Sequence, residues 1–443
     1  MNMPESFYYI LLIAVIVPVG LSWVKSGTII NPVTFFNLWW GGFLFLSTLN
    51  LVGIRIPSMR VYYIVLLAMS MYSTGCLSFI SGNNISDRPS LLKPEKTDAL
   101  PVKMQVFILL QIAFTVFLIY YSNRAFAMMR SMGPDAFRAL IYKDEGLFGQ
   151  DKKYFMFIVS PYLYLSVILT TAGVMTKKIS KYFLILSFFN LILYSALTAG
   201  RAPIFLGIMV LSLGFLYNLN ISKLKIRPAT LIMIAFPVIF IVWMSAFRKS
   251  TFRADTKSPL YIFFEYFVWY FTGPFTAFDY FMNNMNQGAD YHYSAVRGVF
   301  AGIEELFLPV LKRAFPGFYG INESFHEFTR IYRPMGGPAT HHNSHFTMLY
   351  TFMRDAGYLG VMIFSYIFGA VNGIMFSLFL KKTTIVNFSM LLILTFLSLM
   401  GIMRWELRYV WSWLTISGIL LIPNRFVFRP QNPPAKISGT DNV

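Results

Sequence analysis

Charge is scarce in this chain, and acid is scarcer than base. Of 443 residues 13% are charged, with 19 Asp or Glu against 37 Lys or Arg, about half the charged share of ordinary soluble domains. A water-soluble globule is thereby excluded. There is a single cysteine, Cys76, set within an apolar run, so no intrachain disulfide framework can form. No Walker-type phosphate loop, no glycine-rich dinucleotide fingerprint and no H-E-x-x-H pair occurs. The apolar runs are continuous and lack the period-two alternation of a transmembrane barrel. The first of them has no basic residues before it, so a cleaved signal peptide is not expected and the first helix is retained.

What is abundant is apolar sequence: 56% hydrophobic residues, 18% aromatic. Runs of about 20 residues recur, each long enough to cross a hydrocarbon core as a helix. The fold class expected is an all-α, polytopic helical membrane protein with about 11 transmembrane helices. The predicted spans are 6–23, 34–53, 61–80, 105–121, 154–175, 182–199, 202–219, 229–247, 358–380, 386–403 and 407–424. The chain divides into an eight-span N-terminal bundle (1–247) with a loop at 122–153, a large segment (248–357), a three-span bundle (358–424) and a tail (425–443). A formal charge of +18 would point to nucleic acid in a soluble protein. Here it reflects topology, since Lys and Arg gather in cytoplasmic loops. Lys177, Lys178 and Lys181, then Lys223, Lys225 and Arg227, then Lys381 and Lys382 mark that side. The C-terminus is then cytoplasmic and the N-terminus external. The loop 122–153, the large segment between the eighth and ninth spans and the turns bearing Arg201 and Arg404 fall on the opposite face.

All five histidines lie in the large segment, together with Glu265, Asp279, Glu304, Glu305, Glu323, Glu327 and Asp355. Titratable chemistry is thus collected at one membrane surface. Within the segment, "SPLYIFFEYFVWYFTGPFTAFDYFM" (258–282) is interrupted by Glu265, Gly273-Pro274 and Asp279, and its aromatics are of the kind that settle at membrane interfaces. It reads as an interfacial or re-entrant helix pair. "AVRGVFAGIEELFLPVLKRAF" reads as an amphipathic helix lying on the membrane.

Several cations are candidates for an anionic ligand. Arg201 stands in a tight turn, "LTAGRAPIF", without a neighbouring carboxylate. An arginine drawn toward the membrane costs about 2.5–3.5 kcal/mol, which an anionic headgroup would offset; a snorkelling anchor is the bland alternative. Arg404 and Arg408 bracket Glu406 in "MRWELRY", where a local ion pair competes with a ligand role. Arg248, Lys249 and Arg253 form a basic cluster that meets either phosphates or solvent. In "RIYRPMGGPATHHNSHF", Arg330 and Arg333 precede a Gly-Gly-Pro turn that is followed by His341, His342 and His345. Histidine is the side chain best suited to proton transfer near neutral pH. The H-H-x-x-H spacing fits no zinc pattern and no cysteine is nearby, so no metal is expected; histidines capping a surface loop are the other reading.

These features together resemble the Wzy-type O-antigen polymerases. The likeness rests on the many spans, "TAGRAP", "YFTGPFTAF" and above all "SHFTMLYTFMRDAGYLGVMIFSYIFGAVNG", in which Thr347, Asp355, Ala356, Gly357 and Gly360 match a family motif. It covers about residues 180–380. The resemblance implies a GT-C-type glycosyltransferase of the bacterial inner membrane. Such an enzyme joins undecaprenyl-diphosphate-linked oligosaccharide units at the periplasmic face during lipopolysaccharide biosynthesis, with no cofactor, and works with a chain-length regulator and a flippase. Related ligases place His-Asn eleven residues before a glycine; here His342-Asn343 stands fifteen before Gly357, a departure that favours the polymerase. On this reading Arg201, Arg404, Arg248 and Arg354, with Arg330 and Arg333, hold diphosphate or sugar. His345 or His342 deprotonates the acceptor, with Glu327 in reserve. A flippase or exporter would instead need a polar path through the spans, and a structural envelope subunit would use the large segment as an interaction surface.

Overall fold

The computed structural model describes residues 3–51, 53–80, 102–141, 155–198, 200, 202–219, 258–284, 294–324, 333–334, 341–342 and 346–421. Among them the chain is helical apart from one short ladder. The helices are α1 (Glu5–Ser26), α2 (Pro32–Thr48), α3 (Met59–Phe79), α4 (Val102–Met132), α5 (Pro134–Ile141), α6 (Ser160–Met175), α7 (Lys181–Thr198), α8 (Ala202–Leu219), α9 (Pro259–Asn284), α10 (Ala301–Ala314), α11 (Met348–Lys381), α12 (Ile385–Met400) and α13 (Val410–Leu421). The ladder pairs β1 (Arg333–Pro334) with β2 (His341–His342), antiparallel.

Six of these helices are long and apolar enough to cross a membrane: α1, α3, α4, α7, α11, and α6 with the π-turn before it. Three shorter apolar helices, α8, α12 and α13, join them. The faces they turn outward are apolar as well. On α1, Tyr9, Leu12, Ile13, Ile16, Val17, Leu21 and Val24 are all exposed. Water would penalise such a stripe, whereas hydrocarbon accepts it. Ten of the eleven expected spans overlap a helix; the eighth, 229–247, lies outside the described residues, as does the tail 425–443.

Two expectations need correction. The loop 122–153 begins as helix, because α4 runs on to Met132 and α5 follows directly. Leu118, Tyr121 and Ala125 keep a buried stripe going past the expected end, and the first residue able to stop the helix is Gly133, at φ +82°. The aromatic stretch 258–282 forms one 26-residue helix, α9, in place of a pair. Pro274 removes one backbone hydrogen bond, but Phe271, Phe275 and Phe278 on either side of it are buried and hold the helix through it.

Helix ends are set locally. Gly27, at φ +70°, closes α1. Asn31 then caps α2, accepting from the Thr34 amide at 3.0 Å while its own amide donates to Ser22 and Thr28. Inside the bundle, helices meet through small residues and neutral polar groups, as membrane packing requires. A cluster of Gln111, Ser166, Thr170, Ser187 and Asn190 ties α4, α6 and α7 together. The longest interface joins α3 to α11, which run parallel. Gly369 and Gly373 lie directly on the Tyr72 and Cys76 carbonyls, so that a Cβ at either would overlap the opposing backbone.

Near one end of α11 the backbone breaks at Ala356 (φ −152°, ψ 30°) and Gly357 (φ +61°, ψ −146°). The Gly357 conformation is open only to glycine. The first two turns of α11 therefore leave the direction of the rest.

Candidate polar site at the Arg404 end of the bundle

Three stretches meet at that break: 294–324, the start of α11, and the turn 401–409 between α12 and α13. Asp355 is the knot. It is almost fully buried, and its carboxylate accepts from the Gly298 amide at 2.9 Å, the Val299 amide at 2.7 Å and the Ser294 hydroxyl. The Ser294 amide in turn donates to the Arg354 carbonyl at 3.0 Å. Trp405 closes the layer from the other side: its indole N–H donates to the Val299 carbonyl at 2.9 Å, and its ring packs edge-on against Phe352 and Phe368. The Met348 amide donates to the Gly401 carbonyl.

Arg404 is held in this frame with part of its guanidinium unspent. Its Nε donates to Glu406 at 2.7 Å and its Nη1 to the Tyr409 hydroxyl at 3.3 Å. The Tyr409 ring lies 4.7 Å from the Arg404 guanidinium carbon and 4.8 Å from that of Arg408. Nη2 donates to no described protein group. The Arg404 side chain is 26% exposed and that of Glu406 only 2%, so the pair presents a cation outward over a buried counter-charge. Burial alone would weaken Arg404's hold on its proton; the adjacent Glu406 carboxylate more than offsets this and keeps the guanidinium charged.

Arg354 donates to the Tyr350 hydroxyl at 3.2 Å and to Ser324. Ser324 belongs to the helical turn 321–324, and Asn322 of the same turn donates to the Arg408 carbonyl at 2.8 Å and to Glu305 at 3.1 Å. One short turn thus bridges the arginine on α11 and the arginine-bearing turn 401–409. Buried atoms in this layer with no hydrogen-bond partner among the described residues include Thr347 Oγ1, Asn322 Oδ1 and Glu406 Oε2. Buried polar groups are normally satisfied, so each of these atoms calls for a partner such as bound water.

Ion pairs stiffen the outer part. Arg297 grips Glu304 through two bonds of 2.8 and 3.0 Å, which raises its affinity for the proton. Glu304 also accepts from the Ile321 amide at 2.7 Å. Burial pushes the Glu305 carboxyl above the usual range, against the opposing pull of Asn322 and Arg408. Lys312, at 2.6 Å, lowers that of Glu323.

Of the residues singled out in the sequence, Arg354 and Arg404 fall in this layer. Arg333 and His342 are opposite each other in the ladder. Arg201, Arg248, Glu327, Arg330 and His345 lie outside the described residues. The ion pair weighed for Arg404 is present. Asn322, Ser324, Tyr350, Trp405 and Tyr409 were missed. Tyr350 stands four residues before Arg354, one helical turn away, and could have been found from spacing. Asn322 and Ser324 carry no such signal.

The motif Thr347–Gly360 acquires a structural account. Thr347 precedes the helix, Asp355 binds the 294–299 turn, and Gly357 supplies the break. Gly360 lies against the Phe352 carbonyl across it. Among the described residues no group of three or more His, Cys, Asp or Glu is arranged to hold a metal ion. Neither a protein-family model, nor a curated protein, nor a solved structure matches the chain.

Proposed function

We propose that the chain is an O-antigen polymerase of the bacterial inner membrane. In this reading the Arg404 end of the bundle faces the periplasm, about 11 spans cross the bilayer, and the tail is cytoplasmic. The substrates are two undecaprenyl-diphosphate-linked oligosaccharides. The acceptor hydroxyl oxygen bonds to the anomeric carbon of the donor sugar as the bond from that carbon to the carrier diphosphate breaks. The electron pair leaves on the diphosphate and the hydroxyl proton passes to a base.

The observation that carries the reading is the state of Arg404: fixed by Glu406 and Tyr409, charged, with Nη2 unspent, on a layer that also fixes Arg354. Preorganised donors at the place where charge develops are usually the largest catalytic contribution. Arginine suits a diphosphate because its fork matches two phosphate oxygens. Arg201, Arg248, Arg330 and Arg333 are assigned to the same anion or to its sugar. His345 or His342 is assigned the acceptor proton, with Glu327 as the reserve. The buried acceptors Asn322 Oδ1 and Glu406 Oε2 lie beneath this surface, where bound water would satisfy them.

The test is the lipopolysaccharide ladder of cells lacking the gene and complemented with variants at equal membrane abundance. Wild type should restore the ladder, while Arg404→Lys and Arg354→Gln leave core plus a single repeat. The double variant Arg404→Ala/Glu406→Gln removes the buried charge along with its partner and should keep the fold but not the polymer. Core alone, with polymer accumulating on its carrier, would make the protein a ligase. A ladder unaffected by deletion would end both readings.

A further inference from the structure

On the exposed side of the α3–α11 seam lies a shallow, open groove of about 460 Å³, lined by Arg60, Tyr63, Ile64, Leu67 and Tyr358. Four of these recur on α3 as i, i+3, i+4 and i+7, which makes one helical stripe. The fifth is the first residue after the Gly357 break. Arg60 and the two tyrosines form its polar mouth, with Tyr63 and Tyr358 about half exposed. Ile64 and Leu67 lie further along the helix and form its apolar floor.

Arg60 donates through Nε to the Tyr358 hydroxyl at 2.8 Å, and its guanidinium carbon stands 5.8 Å from that ring. No described carboxylate pairs with it. Asp279 is buried and accepts from Ser58, next to the start of α3. The tyrosine therefore fixes the guanidinium plane by one edge and leaves the Nη pair for another partner. A snorkelling arginine needs no fixed orientation and no groove.

We infer that this groove binds one anionic phospholipid, its phosphate on the Nη face of Arg60 and an acyl chain laid over Ile64 and Leu67. The charge is complementary, and the order of the stripe, cation then tyrosines then aliphatics, matches the order of groups along a lipid entering from the headgroup level. The groove shares no lining residue with the Arg404 layer and does not depend on its proposed chemistry.

The experiment counts lipids retained by the purified full chain in native mass spectra, with micelles doped with phosphatidylglycerol, phosphatidylcholine or undecaprenyl phosphate. Wild type should hold one more phosphatidylglycerol than Arg60→Ala, at about five-fold or greater difference in occupancy. Leu67→Trp, which fills the floor and leaves Arg60 in place, should lose the same lipid. Arg60→Lys should retain less than wild type, because it lacks the fork. Equal counts in wild type and Arg60→Ala overturn the inference, as does loss with Arg60→Ala but not with Leu67→Trp. Preferential retention of undecaprenyl phosphate overturns the phospholipid as occupant. Unchanged elution and thermal unfolding of the variants show that the fold is intact.

Discussion

The α3–α11 seam and the polar layer at the Arg404 end are built on opposite principles. Along the seam two helices touch backbone to backbone through Gly369 and Gly373, and side-chain hydrogen bonds play a minor part. Within the layer, segments with little regular structure are held by side chains that satisfy one another's backbone groups: Asp355 on 298 and 299, Trp405 on 299, Asn322 on 408. Lipid offers no hydrophobic drive for helices to associate, so the seam depends on close approach. Irregular backbone near a membrane survives only where protein satisfies it. The seam is therefore intolerant of volume and the layer intolerant of lost acceptors.

That contrast can be broken at its strongest point first. Asp355→Ala leaves the donors of Ser294, Gly298 and Val299 without their acceptor and should cost about 4 kcal/mol or more, at about 1.5–3 kcal/mol per bond to a charged group. Thermal unfolding of the purified chain is the measurement, and a loss below about 1 kcal/mol would show that the layer does not depend on this residue. At the seam, Gly369→Val should cost about 3 kcal/mol by overpacking, because the added Cβ by itself already meets the Tyr72 carbonyl. A comparable loss from Gly20→Val, where nothing lies near the added Cβ, would remove the seam's special status.

Smaller effects sharpen the comparison within the layer itself. Arg404→Lys preserves the charge beside Glu406 but not the fork, and should leave core plus a single repeat, a loss of polymer of about tenfold or more, with little change in unfolding temperature. The smallest effect concerns pH. Because burial raises the Glu305 pKa in the folded chain, its contribution to stability is fully present below the unfolded value of about 4.3 and is lost as pH rises through the folded value. Glu305→Gln should therefore flatten the fall in stability across that window and leave the variant slightly more stable than wild type at neutral pH. Glu323 is shifted the opposite way by Lys312, so the difference between wild type and Glu305→Gln is the quantity to follow.

The helices were legible because lipid selects long apolar runs directly, and a run such as Glu5–Ser26 is long and apolar enough to cross a membrane. Their ends were less so: α4 outran its expected limit because the apolar composition fades before the buried stripe does. The layer was legible only where its partners are neighbours in sequence. Arg404, Glu406 and Tyr409 lie within one short stretch, and Glu406 was visible as a partner for that reason. Asp355 was marked by a motif, but its partners at 294–299 are some 60 residues earlier, and contacts of that span leave no period to read. Ser324 and Asn322 were invisible for the same reason. Pro274 misled, since its local preference to end a helix was outweighed by the buried aromatics around it.

The break at Gly357 also has a mechanical meaning. Below it α11 belongs to the bundle and packs along α3 through Gly369 and Gly373. Above it the two turns bearing Tyr350, Arg354 and Asp355 are fastened to the layer. The glycine thus lets one helix serve two directions: a residue at 357 that held the backbone helical would turn Arg354 away from Ser324.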